Sequence, residues 1–220
     1  MDDEALLQAW TEGDQKAGET LFGRHFDALY RFFRTKAPYD YEDLIQTTML
    51  ECMRSREKIR SGTSFRPFLF GVARNCLLRL LRSRYRDRLD FDVDEVSCAD
   101  LGMGPLERLA LEQEQERLVE ALRRIPLNLQ ILVELTYWEE LSSREVGAVL
   151  DVPPSTIRHR LLRARKLLEK ELHRTLDDGD VEQTMTGLET WAEEIRRMMG
   201  EPELDGDGGD GGDERRAHDA

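Results

Sequence analysis

Apolar residues recur at helical spacing along most of this chain, and the clearest pattern lies within residues 141–170. The stretch opens with Ser142, and Glu145 follows three residues later, a pairing typical of the capping box at a helix N-terminus. A short apolar stripe comes next, at Val146, Val149 and Leu150. One short helix is therefore predicted here, with the stripe facing a core.

A tight turn and a second helix are predicted after it. Pro153 and Pro154 stop the first helix, because proline lacks an amide donor and keeps the residue before it out of the helical region. Asp151 can adopt a left-handed backbone at modest cost, and Ser155 or Thr156 is expected to cap the second helix. The buried face of that helix is predicted at positions spaced 4, 3 and 4 apart, namely Ile157, Leu161, Ala164 and Leu168.

The N-terminal part of the chain also predicts helices. Residues 4–36 indicate two, separated at Gly13 and Asp14, and the second is expected to run on until Pro38. A third helix is predicted over residues 41–56, with an apolar face of Leu44, Ile45, Met49 and Met53. Asp43, Gln46 and Leu50 fall on another side, which suits either a partner-binding face or an ordinary exposed one.

A fourth helix, over residues 65–88, begins with aromatic residues and ends rich in arginine. Aromatic rings beside cations favour a surface for single-stranded nucleic acid, on which bases stack. The alternative places the aromatic residues, Phe65 and Phe68 above all, in a core. Residues 89–107 hold six acidic residues, no basic one and no helical period, so they predict a linker. The two short helices within residues 141–170 and the tight turn between them form a helix-turn-helix. Two further helices are expected before it, over residues 105–124 and 127–138.

The C-terminal part divides in two. Apolar residues at 4, 3, 4, 3 and 4 spacing form one seam: Val181, Met185, Leu188, Ala192, Ile195 and Met199. This amphipathic helix is expected to pack on its own second domain, to act as a displaceable regulatory lid, or to mediate oligomerisation. Residues 201–220 are rich in Gly and Asp and are expected to be a disordered acidic tail.

The net charge of −13 conceals two basic segments. Residues 175–220 carry −11, whereas residues 54–88 carry +9 and residues 153–174 carry +5. Because the local field decides nucleic-acid binding, the overall acidity does not exclude a DNA-binding protein. The outward face of the second helix is basic: Arg158 and Arg163 suit base edges or phosphates, His159 suits a base edge, and Leu162 suits a thymine methyl. The alternative is a solvated basic helix in a bundle.

The composition of the chain disfavours several other classes of protein. There is no apolar run of about 18 residues, so no membrane span is expected, and the acidic N-terminus does not resemble a signal peptide. Cysteines form no CxxC pair and histidines no metal-ligand spacing, so we expect a reducing cytoplasm, no metal and no cofactor. No catalytic arrangement is evident, and no enzyme activity is expected.

Three stretches, in order, resemble the extracytoplasmic-function (ECF) type of the sigma-70 family of RNA polymerase sigma factors. They are YEDLIQTTML at 41–50, similar to the family's EDLVQEVFL; FRPFLFGVARNCLLRLLR at 65–82, similar to FRAWLFRIARN; and the pattern from ALRRIP to LSSREVGAVLDVPPSTIRHRLLRARKLL. Within these stretches Phe68 stands where the family usually has Trp, and Met49 where it has Phe. Thr47 replaces an acid, and Gly71 replaces a larger residue.

The resemblance implies an all-α fold of two small helical domains. Residues 1–88 would be sigma region 2, 89–105 an acidic linker that threads toward the polymerase active site, and 106–172 the region 4 helix-turn-helix. Residues 173–200 would be a C-terminal helical extension, followed by the tail at 201–220. The implied function is to direct core RNA polymerase to promoters and to help open the DNA.

The resemblance also assigns roles at matched positions. The basic and aromatic residues described above add further positions to these sets. Polymerase binding is expected at Asp43, Gln46 and Leu50. Binding of the unpaired minus-ten strand is expected at Arg60, Ser61, Gly62, Thr63, Ser64, Phe68, Asn75, Arg79 and Arg82. Reading of the minus-thirty-five duplex is expected at Ser155, Thr156, Arg158, His159, Leu162, Arg163 and Lys166.

The implied partners are the clamp and flap of core RNA polymerase and promoter DNA, both duplex and single-stranded, with an anti-sigma factor as a further candidate. One alternative is a stand-alone helix-turn-helix regulator, which would leave the matched first domain unexplained. A sequestering protein would need no basic recognition helix.

Overall fold

The computed structural model describes residues 1–56, 59, 64–84, 92–100, 113–174, 176 and 178–188. Within these ranges the regular structure is helical, apart from an isolated bridge between Ser97 and Pro126. The helices are α1 (Asp3–Thr11), α2 (Gln15–Arg24), α3 (Phe26–Arg34), α4 (Tyr41–Arg54), α5 (Phe65–Arg84), α6 (Gln113–Leu122), α7 (Leu127–Val133), α8 (Ser143–Leu150), α9 (Pro154–Leu172) and α10 (Asp178–Thr186). A π-helical turn, Glu134–Trp138, continues α7.

The first domain comprises α1 to α5, and its second predicted helix is in fact two. The helix is interrupted at His25, where the backbone leaves helical geometry at φ −108° and ψ 7°. His25 Nε2 lies 2.5 Å from a carboxylate oxygen of Asp3, and the His25 ring packs against Phe65 with 5.4 Å between centroids. These contacts with α1 and α5 accompany a break that local apolar spacing does not reveal, so the prediction of one continuous helix is wrong.

An aromatic cluster forms the core between α1, α2 and α5. Trp10, Phe22 and Phe65 meet edge to face, with centroid distances of 5.2 to 6.3 Å. Phe65 is buried, so of the two alternatives for this ring the core position is correct. The close approach of α1 to α2 requires Gly18, because a Cβ there would lie 2.4 Å from the Trp10 ring.

Helix α4 buries a different face from the one predicted. Leu44 and Ile45 are buried as expected, but the inward row continues through Thr48 and Cys52. Met53 was expected on the apolar face and is instead 49% exposed. Side chains four residues apart stack on one helical face, so the row from Leu44 through Thr48 to Cys52 packs inward and turns Met53 outward.

The second domain contains the helix-turn-helix. Ser142 and Glu145 form the predicted capping box, and Asp151 is left-handed at φ 57° and ψ 47°. The expectation that Ser155 or Thr156 caps the second helix is wrong, because α9 begins at Pro154 with Pro153 at the cap position. Proline suits the first helical position, where its missing amide hydrogen would have had no helical partner.

Two segments flank this domain. The described part of the linker, residues 92–100, is bound to it by backbone hydrogen bonds, from Leu127 N to Val96 O at 2.9 Å and from Ala99 N to Arg123 O at 3.0 Å. Helix α10 packs on α9 and buries Val181, and Leu188, two residues after the helix ends, is also buried. The remainder of that seam and the acidic tail at 201–220 lie outside the described residues.

Candidate nucleic-acid interface

The outward face of α9 carries the predicted duplex-reading residues. Ile157, Ala164 and Leu168 are buried on the opposite side, and Leu161 is half-buried there. Leu162 is 55% exposed although it is apolar. Thr156 is half-buried. The other predicted residues on the outward face are exposed, namely Ser155, Arg158, His159, Arg163 and Lys166.

Two neighbouring arginines of α9 are held by the protein. Arg160 lies 3.4 Å from Asp94, and Arg165 donates to the Tyr137 hydroxyl at 3.1 Å. Within the described part of the chain, the guanidinium groups of Arg158 and Arg163 have no such partner. The outward face of α9 therefore offers unneutralised cations beside an exposed apolar side chain, which suits phosphates, base edges and a thymine methyl.

A second surface lies on α5. Ser64, Asn75, Arg79 and Arg82 are exposed, and Phe68 is half-buried. Phe68 and Asn75 line an open cavity of about 730 Å³, whose opposite wall is formed by Ser142, Arg144 and Glu145 at the start of α8. The structure thus brings Ser64, Phe68 and Asn75 to one cleft, whereas Arg79 and Arg82 are exposed farther along α5 and do not line it. Arg60, Ser61, Gly62 and Thr63 lie outside the described residues.

Not every basic residue of α5 belongs to this surface. Arg66 lies 3.0 Å from Glu139, and Arg74 donates to the Asn128 side chain at 3.0 Å, so both face the second domain. The sequence analysis counted them in the basic segment and missed this role. Their partners lie more than 50 residues away along the chain, a distance over which helical periodicity carries no information.

A third surface lies on α4, where Asp43, Gln46 and Leu50 are all exposed. Leu50 is 48% exposed, and Met53 adds a second exposed apolar side chain three residues later. The sequence analysis missed Met53, although the signal was present: Thr48 and Cys52 lie four and eight residues after the buried Leu44 and continue its face.

Comparisons with known proteins agree with this arrangement. The family model of Sigma-70 region 2 matches residues 21–87, and that of Sigma-70 region 4 matches residues 115–168. The ECF RNA polymerase sigma-E factor of Haemophilus influenzae is 26% identical over 179 residues, which cover 77% of this chain and 95% of that protein. The sigma-E factor of Escherichia coli (strain K12) is 25% identical over 179 residues, covering 77% and 94%.

Two solved structures share the fold. CnrH in complex with the cytosolic domain of CnrY has a TM-score of 0.60 at 23% identity, covering 79% of this chain and 99% of that one. The sigma factor RpoE in complex with the anti-sigma factor NepR from Bartonella quintana has a TM-score of 0.55 at 19% identity, covering 72% and 98%.

Fold and exposed surfaces together define a helical, two-domain promoter-recognition protein. The chain belongs to the sigma-70 family of RNA polymerase sigma factors and is of the ECF type. Its function is that of a sigma factor, which directs core RNA polymerase to promoters, and the stand-alone regulator is not supported. In the described part of the chain no helix has the length and apolarity needed to cross a membrane.

Proposed function

We propose that three separate surfaces divide the work of this sigma factor. Helix α4 binds the polymerase clamp, the edge of α5 captures the unpaired minus-ten strand, and the outward face of α9 reads the minus-thirty-five duplex. The observation that carries the proposal is the outward face of α9. Arg158 and Arg163 are exposed there and have no ion-pair partner among the described residues, while the opposite face of the helix is buried.

Polymerase docking is supported by the character of α4. Leu50 and Met53 are exposed apolar side chains, flanked by the exposed polar side chains of Asp43 and Gln46. An apolar centre with a polar rim is typical of protein interfaces, in which a few buried anchors supply most of the binding energy. We assign Leu50 as such an anchor.

Strand capture is supported by the cleft beside Phe68. Its half-buried ring can stack on an unpaired base, and base stacking on an aromatic side chain is worth roughly 1–3 kcal/mol. Asn75 lines the same cleft and offers both donors and an acceptor to a base edge. Arg79 and Arg82 lie farther along α5 and are placed to follow the phosphate backbone.

The chemistry of RNA synthesis belongs to the polymerase, so the sigma factor acts by binding alone and works in the cytoplasm, where transcription takes place. The proposal keeps the domain limits predicted from the sequence: region 2 at 1–88, the linker at 89–105 and region 4 at 106–172. An anti-sigma factor is a candidate partner, since RpoE of Bartonella quintana is bound to one.

Run-off transcription with purified core RNA polymerase tests the proposal. The template is the DNA upstream of the gene that encodes this chain, and the full chain is compared with a version that ends after His173. Initiation that depends on either version supports the proposed function. Binding to that duplex without polymerase, and no initiation with either version, would contradict it.

The same assay assigns the C-terminal extension. Because α10 packs on α9 of the second domain and buries Val181, we expect the full chain to be the active version. Activity of the truncated chain alone would identify the extension as an inhibitory lid.

A further inference from the structure

The described part of the C-terminal extension ends beside the middle of α9. Helix α10 packs on α9, and near the end of α10 the carbonyl oxygen of Met185 accepts a hydrogen bond from Arg165 of α9 at 3.4 Å. Arg165 also donates to the Tyr137 hydroxyl at 3.1 Å, which fixes its guanidinium within the second domain. Leu188 is the last described residue. It follows Met185 by three positions, so the rest of the chain starts within about 11 Å of this contact.

This starting point borders the outward face of α9. Arg165 follows Arg158 by seven residues and Leu162 by three, and residues at such spacings lie on one side of a helix. Arg158 and Leu162 are exposed and belong to the outward face. The chain after α10 therefore begins at the edge of the surface proposed to read the minus-thirty-five duplex.

The outward face is cationic from Arg158 to Lys166. Arg158, Arg163 and Lys166 are exposed and have no ion-pair partner within the ranges that the structure describes. The carboxylates of the same helix come later, at Glu169 and Glu171. Three exposed cations close together attract any polyanion that can reach them, and DNA is one such partner.

The chain itself contains a polyanion after α10. Residues 201–214, EPELDGDGGDGGDE, hold seven acidic residues and no basic one, and we call this stretch the acidic segment. On an extended backbone of about 3.3 Å per residue, its charges lie about 7 Å apart on average. One strand of duplex DNA carries a charge about every 3.4 Å along the helix axis. The acidic segment thus offers the same kind of charge as a DNA strand, at about half the density.

The acidic segment can reach every cation of the outward face. Residues 189–200 connect it to Leu188, and they span about 18 Å if helical, as their apolar spacing predicts, or up to about 40 Å if extended. Helix α9 has 19 residues and is about 28 Å long. An extended acidic segment, at about 46 Å, is longer than that. The contact is therefore possible with every described helix in its present place.

The basic surface of α5 is a poorer match for the acidic segment. Arg79 lies 3.7 Å from Glu51, and Arg84 is paired with Asp40, so carboxylates of the first domain already neutralise part of that surface. The extension packs on α9 of the second domain, whereas α5 belongs to the first. Charge and proximity both favour α9.

We propose that the acidic segment lies along the outward face of α9 when no DNA is bound, and that duplex promoter DNA displaces it. The occupant of this face is then a part of the same chain that imitates a phosphate backbone. The inference rests on the proposed function, because it requires α9 to read the duplex. It adds a competitor that lowers the affinity for all duplexes alike, since carboxylates occupy the cations and carry no base sequence.

Paramagnetic broadening in NMR spectra of the full chain locates the acidic segment. Gly208→Cys provides the attachment point for a nitroxide, and the native cysteines are buried and so are protected from the reagent. We expect the label to reduce the amide signals of residues 158–166 by roughly half or more, and about 0.5 M salt to restore them. Addition of a minus-thirty-five duplex should restore them as well. The same label after chemical reduction is the reference.

Two variants of equal net charge measure the competition with DNA. The first combines three substitutions in the acidic segment: Asp207→Asn, Asp210→Asn and Asp213→Asn. The control changes three exposed acidic residues of the first domain: Glu4→Gln, Glu12→Gln and Glu19→Gln. We expect the first variant alone to bind a minus-thirty-five duplex more tightly than the original chain, by about tenfold at about 50 mM salt. A duplex with an altered minus-thirty-five element should gain by the same factor.

The salt dependence provides a second measure. When the acidic segment no longer holds the cations, each phosphate contact releases a counterion in full, so the affinity of the first variant should fall more steeply with salt than that of the control. Equal affinities and equal slopes for the two variants would overturn the proposal. Broadening that is absent from α9, or confined to α5, would also overturn it. So would equally strong broadening by a nitroxide on a second copy of the chain, which would place a neighbour's segment on the face.

Run-off transcription with the same samples separates this proposal from the proposed function. Initiation by a chain whose acidic segment shows no contact with α9 would overturn the contact and leave the proposed function standing. Contact with α9 in a chain that does not initiate would support the contact and count against the proposed function.

Discussion

Asp94 of the linker and Arg160 of α9 lie 3.4 Å apart, so an acidic residue from outside the helix-turn-helix neutralises one cation of the recognition helix. Arg158 and Arg163, on the outward face of the same helix, are exposed. The linker contact thus divides the arginines of one helix into two sets. Arg160 is half-buried and paired with the linker, and Arg158 and Arg163 are exposed and are proposed to contact DNA.

Replacing a base-reading residue should change promoter choice. We expect Arg163→Ala and His159→Ala to reduce discrimination among minus-thirty-five sequences by about 1–3 kcal/mol per lost contact. The measurement is competitive run-off transcription on promoters that differ only in that element. Lys170→Ala, an exposed cation near the end of the same helix, is the control and should leave the order of preference unchanged. An unchanged order with Arg163→Ala would place the reading face elsewhere.

Polymerase affinity should depend on the exposed face of α4. Leu50→Ala removes an exposed apolar side chain, so we expect little change in stability but a loss of about 1–2 kcal/mol in binding to core polymerase. Asp43→Ala combined with Gln46→Ala should weaken binding further. The Kd is measured by fluorescence titration, with Glu19→Ala on the exposed surface of α2 as control. Equal affinities for all these variants would show that the docking face lies elsewhere.

The turn of the helix-turn-helix should not tolerate a side chain at Gly147. A Cβ there would lie 2.7 Å from the Val152 carbonyl oxygen, which is backbone and cannot swing away. We expect Gly147→Ala to lower the free energy of unfolding by about 1–3 kcal/mol, the usual effect of overpacking. Gly23→Ala is the matched control in α2, where a Cβ meets nothing within 4 Å. It should be neutral or stabilising by up to about 1 kcal/mol. Thermal unfolding monitored by circular dichroism compares the two, and equal melting temperatures would refute the close contact.

Stability should fall at alkaline pH because of the buried thiols. Burial raises the pKa of Cys98 from its ordinary value of 9.0 to about 12. As the pH rises above 9.0, the unfolded chain loses this proton first, so the free energy of unfolding decreases by about 1.4 kcal/mol per pH unit until the folded pKa is reached. Urea unfolding of Cys98→Ala between pH 8 and about 10 should show a shallower decline than the original chain. Ser97→Ala removes a neighbouring buried hydroxyl but no thiol, and should keep the original slope. If the free energy of unfolding of Cys98→Ala falls with pH as steeply as that of the original chain, Cys98 is not the source of the alkaline loss of stability.

Local signals in the sequence were enough for the helix-turn-helix. The capping box at Ser142, the left-handed Asp151 and the alternating faces of α9 all depend on residues within one or two helical turns of each other. The helix break at His25, by contrast, involves residues far away along the chain. The break at His25 accompanies contacts with Asp3 and Phe65, which lie on α1 and α5.

Charge pairing between the domains was beyond sequence reasoning for the same reason. Lys36 and Glu134 are 98 residues apart, and each is an ordinary charged residue at its own position. Only the packing of the π-helical segment against the end of α3 makes them partners. The surfaces assigned to polymerase and DNA follow from local amphipathicity and family resemblance, and their roles remain predictions.

The contact of α8 with α5 also bears on how tightly the protein holds DNA before it meets polymerase. Two linked modules on one DNA molecule gain about 10²–10⁴ in avidity when both can bind together, and none when geometry forbids it. Because α8 packs against α5, the proposed minus-ten and minus-thirty-five surfaces are held close together, and we expect the chain in this arrangement to bind promoter DNA without that gain in avidity.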